Sequence, residues 1–104
     1  MNSVPEAANT LSGFEPLLQA PARLQVMAVL AQAQEAEFTR LKEVTQTSDS
    51  VMSKHLAGLA DAGFIKLRKA LAQGRQRTWA SLTRRGRQAF DDHVMALQRI
   101  VGGG

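Results

Sequence analysis

Hydrophobic residues at helical spacing predict two helices in the first half of the chain. Residues 14–34 carry apolar side chains at three-residue intervals, at Leu24, Met27 and Leu30, which predicts a core-facing helix. We expect a short first piece and a second piece that begins at Pro21. An acidic connection then leads to a shorter helix over residues 40–45, for which Thr39 is the expected N-cap.

A second apolar stripe predicts a third helix after the polar break at residues 46–48. Met52, Leu56 and Leu59 follow one another at i, i+4 and i+7, so they form one buried face of a helix over about residues 49–62. Ser48 or Asp49 caps its start, and Gly63 ends it. The opposite face of this helix carries small and polar side chains with one lysine.

The hydrophobic period changes from helical to alternating after Gly63. Residues 64–69 and 77–82 alternate apolar and polar side chains, which predicts two strands. The intervening residues 70–76 form a loop longer than a two-residue turn, so we expect a hairpin. Thr83 then caps a final helix over residues 84–101. One side of that helix carries an apolar row at 4-3-4 spacing, formed by Phe90, Val94, Leu97 and Val101.

Composition limits the chemistry that this chain can perform. It has 104 residues, 44% of them hydrophobic, with no cysteine and two histidines, so we expect no disulfide, thiol nucleophile, metal site or cofactor. No apolar run reaches the length of a membrane span, and residues 1–13 lack the pattern of a secretory signal. We therefore expect a cytoplasmic protein without a membrane partner. We expect residues 1–13 to be a flexible leader, residues 14–101 to form one domain, and residues 102–104 to be a glycine tail.

Charge is concentrated in the middle of the chain. Residues 38–90 contain eleven basic and three acidic residues, a net charge of +8, whereas the rest of the chain carries −4. A basic segment between acidic ends is typical of a surface that binds a polyanion.

Two helices joined by a short polar turn, the second with a polar outer face, form a helix-turn-helix, and a hairpin that follows directly forms a wing. The matching segments are residues 21–24 (PARL), 51–56 (VMSKHL), 62–65 (AGFI), 74–78 (GRQRT) and 82–83 (LT) with Gly86. In order and spacing they resemble the small MarR-like and ArsR-like winged-helix regulators. The resemblance implies a mainly α fold with a small β-hairpin, a winged helix-turn-helix, with a C-terminal helix used in dimerisation.

The resemblance also implies a function. The chain is expected to regulate transcription as a homodimer that binds double-stranded DNA in a sequence-specific manner. Its recognition helix, about residues 49–62, would enter the major groove, and its wing, about residues 64–82, would lie on the minor groove or the backbone. The expected DNA contacts are Ser48, Ser50, Val51, Ser53, Lys54, His55, Lys66, Arg68, Lys69, Arg75, Arg77, Arg84 and Arg85. The expected dimer contacts are Leu17, Leu18, Phe90, Val94, Leu97 and Val101.

Three assignments stay open at this point. Arg84 and Arg85 stand where family members often have proline or an acidic residue, and they either face phosphates or are tolerated on the surface. His55 either contacts a phosphate or packs in the fold. Trp79 is expected to stack on Lys66 or Arg68 rather than on a base.

Two other classes of function remain. A winged-helix adaptor would bind protein instead of DNA, and it would need an apolar patch on the recognition helix. An enzyme would need converging acid and base groups. Asp91, Asp92 and His93 form the one cluster of that kind, and we interpret it as a solvated helical face because neighbouring helical residues point apart. The sequence names neither an operator nor a small-molecule effector.

Overall fold

The computed structural model describes residues 11–102 of the chain. A 3₁₀ helix (Pro16–Gln19) precedes helix α1 (Pro21–Ala31), strand β1 (Ala36–Glu37), helix α2 (Phe38–Thr45) and helix α3 (Asp49–Asp61). Strands β2 (Ile65–Ala72) and β3 (Arg75–Leu82) follow, and helix α4 (Arg84–Val101) is the last element. The order of helices and strands confirms the predicted winged helix-turn-helix, and the final helix has the predicted bounds.

The sheet contains a strand that the sequence did not predict. Its order is β1–β3–β2, all antiparallel, with Ala36 opposite Ala80 and Glu37 opposite Trp79. The interpretation of residues 35–37 as a plain acidic connection was therefore wrong. A strand of two residues is too short to show an alternating pattern, and only its pairing with β3 identifies it.

The wing ends in a tighter turn than predicted. Ala72 lies opposite Arg75, which leaves only Gln73 and Gly74 between β2 and β3. Both residues have positive φ, 54° and 75°, as the twist of a two-residue hairpin turn requires. The predicted loop over residues 70–76 was wrong because Ala70 and Ala72, poor indicators of a strand, continue the ladder.

One hydrophobic core lies between the helices and the inner face of the sheet. Met52, Leu56 and Leu59 of α3 are buried as predicted. The outer face of the sheet, which carries Arg68, Trp79 and Arg77, points away from this core, because β2 and β3 alternate about Ile65 and Ala80. The other buried core residues are Leu18, Val26, Met27, Leu30, Ala36, Leu41, Phe64, Ile65 and Ala80.

Side-chain caps fix the ends of the two helices that flank the wing. The Ser48 hydroxyl accepts a hydrogen bond from the Val51 N–H, and the Thr83 hydroxyl accepts one from the Gly86 N–H, as predicted. Gly63, just past α3, has φ of 79°, a left-handed conformation that glycine adopts without strain. Thr39 does not cap α2: the helix begins at Phe38, and Glu37 is its N-cap.

The first described residues pack against α4. The Phe14 N–H donates to the Leu11 carbonyl, and the Arg99 guanidinium donates to the Ser12 carbonyl. Residues 1–10 of the predicted leader and residues 103–104 of the predicted glycine tail lie outside the described residues.

His93 corrects one interpretation of the sequence. Only 1% of this residue is exposed, so residues 91–93 are not a uniformly solvated face. The His93 Nδ1 accepts a hydrogen bond of 2.9 Å from the Glu15 N–H, and the imidazole lies against the Phe14 ring at 4.9 Å. This histidine holds the segment before the 3₁₀ helix onto α4.

Candidate nucleic-acid interface

The outer face of α3 is solvent-exposed at its polar residues. Ser50, Ser53 and Lys54 are exposed, and Val51 has 42% of its surface accessible. On the other side, Met52 and Leu59 are fully buried, so packing fixes which face points outward. The helix therefore presents a polar strip with one branched apolar side chain at its centre.

The turn between α2 and α3 is stabilised by local contacts. Gln46 adopts a left-handed conformation with φ of 56°, which ends α2 and lets the chain turn into α3 within three residues. Lys42 and Asp49 form an ion pair of 2.5 Å across the turn, and Ser48 and Ser50 share a hydrogen bond of 3.3 Å. These contacts hold the first turn of α3, where the predicted base contacts begin.

Part of the predicted basic surface forms no ion pair inside the protein. Five cations of the predicted site have no hydrogen-bond or salt-bridge partner within residues 11–102. Four of them are on α3 or the wing, and the fifth is at the start of α4. These cations are Lys54, Lys66, Lys69, Arg75 and Arg84.

Two wing arginines are neutralised by the acidic residues around β1. Arg68 binds Glu35 through two hydrogen bonds of 2.5 and 3.2 Å, and Arg77 binds Glu37 at 2.9 Å. The hydrogen bond from Arg68 lowers the pKa of Glu35, and the same bond raises the pKa of Arg68. Both arginines were predicted to contact DNA, and both would have to give up these partners first.

Trp79 lies between these pairs on the outer face of the sheet. The Arg68 guanidinium lies over the indole, 4.5 Å from the ring centre, a cation–π contact. This confirms the predicted stacking and selects Arg68 over Lys66. One face of the indole is therefore covered by the protein itself.

Arg84 and Arg85 differ from each other, although the sequence treats them alike. Arg84 is exposed. The Arg85 Nε donates to the Ala62 carbonyl at 3.0 Å, and its guanidinium lies 5.9 Å from the Phe64 ring. Ala62 is the C-cap of α3, and a cation at a helix C-terminus is favourable. Arg85 therefore stabilises the end of α3, a role that neither sequence hypothesis included.

His55 lies at the edge of the outer face, half-buried against α1. The Arg23 Nη1 lies 3.1 Å from the His55 Nδ1. Burial, and then the charge of Arg23, lower the pKa of His55. Sequence reasoning missed Arg23 because it lies 32 positions away, on a helix that showed no functional signal.

The predicted dimer row is divided between the core and the surface. Phe90, Val94 and Leu97 are half-buried within their own chain, and Val101 is 84% exposed. Leu17 is also half-buried, but Leu18 is fully buried in its own core and is therefore removed from the expected interface.

Other kinds of site find no support in the described part of the chain. Residues 11–102 contain no group of three or more histidine or acidic side chains arranged to hold a metal ion. No helix within those residues is long and apolar enough to cross a bilayer.

Comparisons with known proteins agree on one fold. A family model described as a winged helix DNA-binding domain matches residues 22–101. An uncharacterized protein of Methanocaldococcus jannaschii is 30% identical over 78 residues, which are 75% of this chain and 85% of the relative.

Two solved structures are similar to the whole described domain. A transcriptional regulator homologue from Pyrococcus horikoshii OT3 matches with a TM-score of 0.81 at 23% identity, over 94% of this chain and 95% of that chain. A MarR family transcriptional regulator from Silicibacter pomeroyi DSS matches with a TM-score of 0.68 at 21% identity, over 94% of this chain and 63% of that chain.

Proposed function

The chain belongs to the winged helix DNA-binding domain family, and from this premise we propose that it regulates transcription as a homodimer that binds specific sites in duplex DNA. The observation that carries the proposal is the orientation of α3. Its apolar stripe is buried in the domain, whereas Ser48, Ser50, Val51, Ser53 and Lys54 on its outer face are all exposed. A helix with one face free in this way can enter the major groove.

The exposed strip offers several kinds of base contact. Ser50 and Ser53 donate or accept hydrogen bonds at base edges, Val51 contacts a thymine methyl, and Lys54 donates to guanine or to a phosphate. Ser48 is already the N-cap, so we expect it to position the helix and contact the backbone. Base contacts of this kind determine sequence, whereas phosphate contacts set the register of the protein on the duplex.

The wing supplies contacts beside this groove. Arg75 follows the turn directly, and we propose that it enters the minor groove, while Lys66 and Lys69 bind phosphates. Arg84 contributes a further phosphate contact at the start of α4. We expect less from Arg68 and Arg77, because Glu35 and Glu37 already occupy them, and less from Arg85, which holds the end of α3.

A role as an adaptor that binds protein is less well supported. Such a surface would need a contiguous apolar patch where α3 is exposed. Val51 is the one large hydrophobic side chain exposed on α3, and its neighbours there are serines and a lysine.

Selection of bound sequences from random duplex DNA tests the proposal directly. A dimer should enrich two related half-sites in inverted orientation, with centres about 10 base pairs apart or a multiple of that spacing. Affinity for the selected duplex should then fall steeply with salt, with a log–log slope of roughly −4 to −8, at about 0.9 per phosphate neutralised. Failure to enrich any sequence, or binding that salt leaves unchanged, would contradict the proposed function.

A further inference from the structure

Arg23 connects the first helix of the domain to the recognition helix. It lies in the first turn of α1, where a positive charge opposes the helix dipole. Its Nε donates to the Leu17 carbonyl at 2.5 Å, and its Nη1 lies 3.1 Å from the Nδ1 of His55 on α3. Two contacts at fixed distances therefore hold the guanidinium in one orientation, beside the helix proposed to enter the major groove.

The contact with Arg23 determines how His55 carries its proton. A guanidinium has only donors, so the His55 Nδ1 must accept. In a neutral imidazole, one nitrogen accepts and the other carries the hydrogen. The Nε2 of His55 is therefore an N–H donor. Burial and the charge of Arg23 both favour this neutral form.

Two donors of this pair remain unused. Within residues 11–102, neither the Arg23 Nη2 nor the His55 Nε2 has a hydrogen-bond partner, and the one buried side-chain nitrogen or oxygen without a partner is the Nε of Arg77. Both nitrogens thus reach the molecular surface. No carboxylate in that part of the chain forms a salt bridge with Arg23. The pair forms a small site with net positive charge and only donors.

We propose that Arg23 and His55 together bind one phosphate of the DNA backbone at the edge of α3. The proposal rests on the proposed function and adds to it a contact on α1, outside both the recognition helix and the wing. His55 directly follows Lys54, so a phosphate at this point would lie beside bases contacted from the exposed strip. Arg23 both contacts the phosphate and positions the imidazole that contacts it.

The test compares the loss of the side chain with the loss of the phosphate charge. In the selected duplex, each phosphate of a half-site is replaced in turn by a neutral methylphosphonate. At one position per half-site, the replacement should weaken binding of the wild-type protein roughly fivefold to tenfold, the effect of one charge-assisted contact. The same replacement should have a smaller effect on Arg23→Met and on His55→Leu than on wild type, because each variant has already lost part of the contact.

Two variants separate this contact from a structural effect. Arg87→Met is the matched control, because Arg87 also donates to a backbone carbonyl of α1, that of Ala31, and it should keep the full sensitivity to methylphosphonate. His55→Gln retains a side-chain N–H, so it should recover part of the binding lost in His55→Leu. Melting temperatures of the free variants show whether either substitution acts through folding.

Three outcomes would overturn the inference. If the variants and the methylphosphonate weaken binding additively at every position, Arg23 and His55 do not contact a phosphate of DNA. If free inorganic phosphate at constant ionic strength shifts the ¹⁵N signals of His55 as strongly as the duplex does, the site binds the free anion instead. If wild-type protein binds no duplex, the proposed function fails together with this inference. The first two outcomes overturn only the inference and leave the proposed function intact.

Discussion

His93 shows how a titratable side chain can be structural. It lies inside the domain with its Nδ1 bonded to the Glu15 N–H and its ring against Phe14. Burial lowers the pKa of His93, while the Glu15 carboxylate opposes part of this effect. The native state therefore favours the neutral imidazole, because its Nδ1 must accept the hydrogen bond from the Glu15 N–H.

This arrangement predicts that the protein is less stable in mild acid. The unfolded chain binds a proton at His93 near the ordinary pKa of 6.5, whereas the folded chain binds it only at lower pH. Below the unfolded value, protonation therefore favours unfolding, and the stability is recovered as the pH rises above it. Urea unfolding between about pH 5 and about pH 8 measures the slope that this linkage predicts.

The variant His93→Asn identifies the source of that slope. Asparagine keeps an acceptor for the Glu15 N–H but does not titrate, so the variant should lose stability at neutral pH and show a shallower dependence on pH. His55, whose pKa is also lowered, accounts for part of the slope, and His55→Gln measures that part. Equal slopes in wild type and His93→Asn would contradict the assignment.

Single residues also show what sequence reasoning could reach. The exposed strip of α3 was predicted correctly because the buried stripe at i, i+4 and i+7 determines the opposite face. The hydrogen-bond partners of Arg68, Arg77 and Arg85 were not predictable, because each lies 20 or more positions away. A count of basic residues cannot show which of them a neighbouring carboxylate or carbonyl already holds.

At the scale of elements, two glycines inside helices have opposite roles. A β-carbon at Gly86, in the first turn of α4, would lie 1.9 Å from the Phe64 carbonyl oxygen. That oxygen accepts a hydrogen bond from the Thr83 N–H. A shift of the oxygen away from the new β-carbon would therefore break this hydrogen bond. At Gly58 of α3, an added β-carbon would meet no atom within 4 Å.

The same substitution should therefore change stability in opposite directions. Gly86→Ala forces α4 away from the start of the wing and should lower the free energy of unfolding by about 1–3 kcal/mol, as overpacking does. Gly58→Ala should raise it by about 0.5–1 kcal/mol, because alanine restricts the unfolded chain and favours the helix. Chemical unfolding of both variants at neutral pH measures the two changes.

Each glycine variant is the control for the other. Both replace a helical glycine by alanine, so a general effect of helix propensity would raise stability in both. If Gly86→Ala is as stable as wild type, the approach of α4 to Phe64 is not restrictive. If Gly58→Ala is destabilised, an unrecognised contact occupies the space beside α3.

The elements themselves were predicted to different degrees. The bounds of α4 and the start of α3 follow from capping residues and long apolar rows, which are strong local signals. Strand β1 and the two-residue wing turn were missed, because a pair of residues has no period and alanine-rich strand ends carry little β propensity. Pairing with β3 defines both features.

Across the whole molecule, the acidic and basic segments contact each other on one face of the sheet. Glu35 and Glu37, which flank the first residue of β1, bind Arg68 and Arg77 on the outer face. The net charge of +8 over residues 38–90 therefore overstates the charge that the wing offers to DNA. The positive charge available to a polyanion is therefore that of the unpaired cations of α3 and the wing.

The C-terminal half of α4 provides the surface for the proposed dimer. Half-buried Val94 and Leu97 continue into Val101, which is 84% exposed. Met95, at 55% exposed, points to the other side of the helix, because residues separated by two positions do not share a face. The two sides therefore differ: one presents the apolar row that ends at Val101, and Met95 lies outside that row.

This difference gives a matched pair of variants for the dimer. Val101→Glu places a charge at the exposed end of the proposed contact without entering the core of its own chain, so it should weaken association by roughly 30-fold or more, about 2 kcal/mol. Met95→Glu adds the same charge on the other side and should leave association unchanged.

Light scattering at micromolar concentration should give twice the chain mass of 11.3 kDa for wild type and Met95→Glu, and a lower mass for Val101→Glu. Because each monomer would then bind a single half-site, Val101→Glu should also lose affinity for the paired site. Its thermal unfolding should show that the individual chain is still folded. A monomeric wild type, or two variants that dissociate alike, would exclude this face of α4 as the interface.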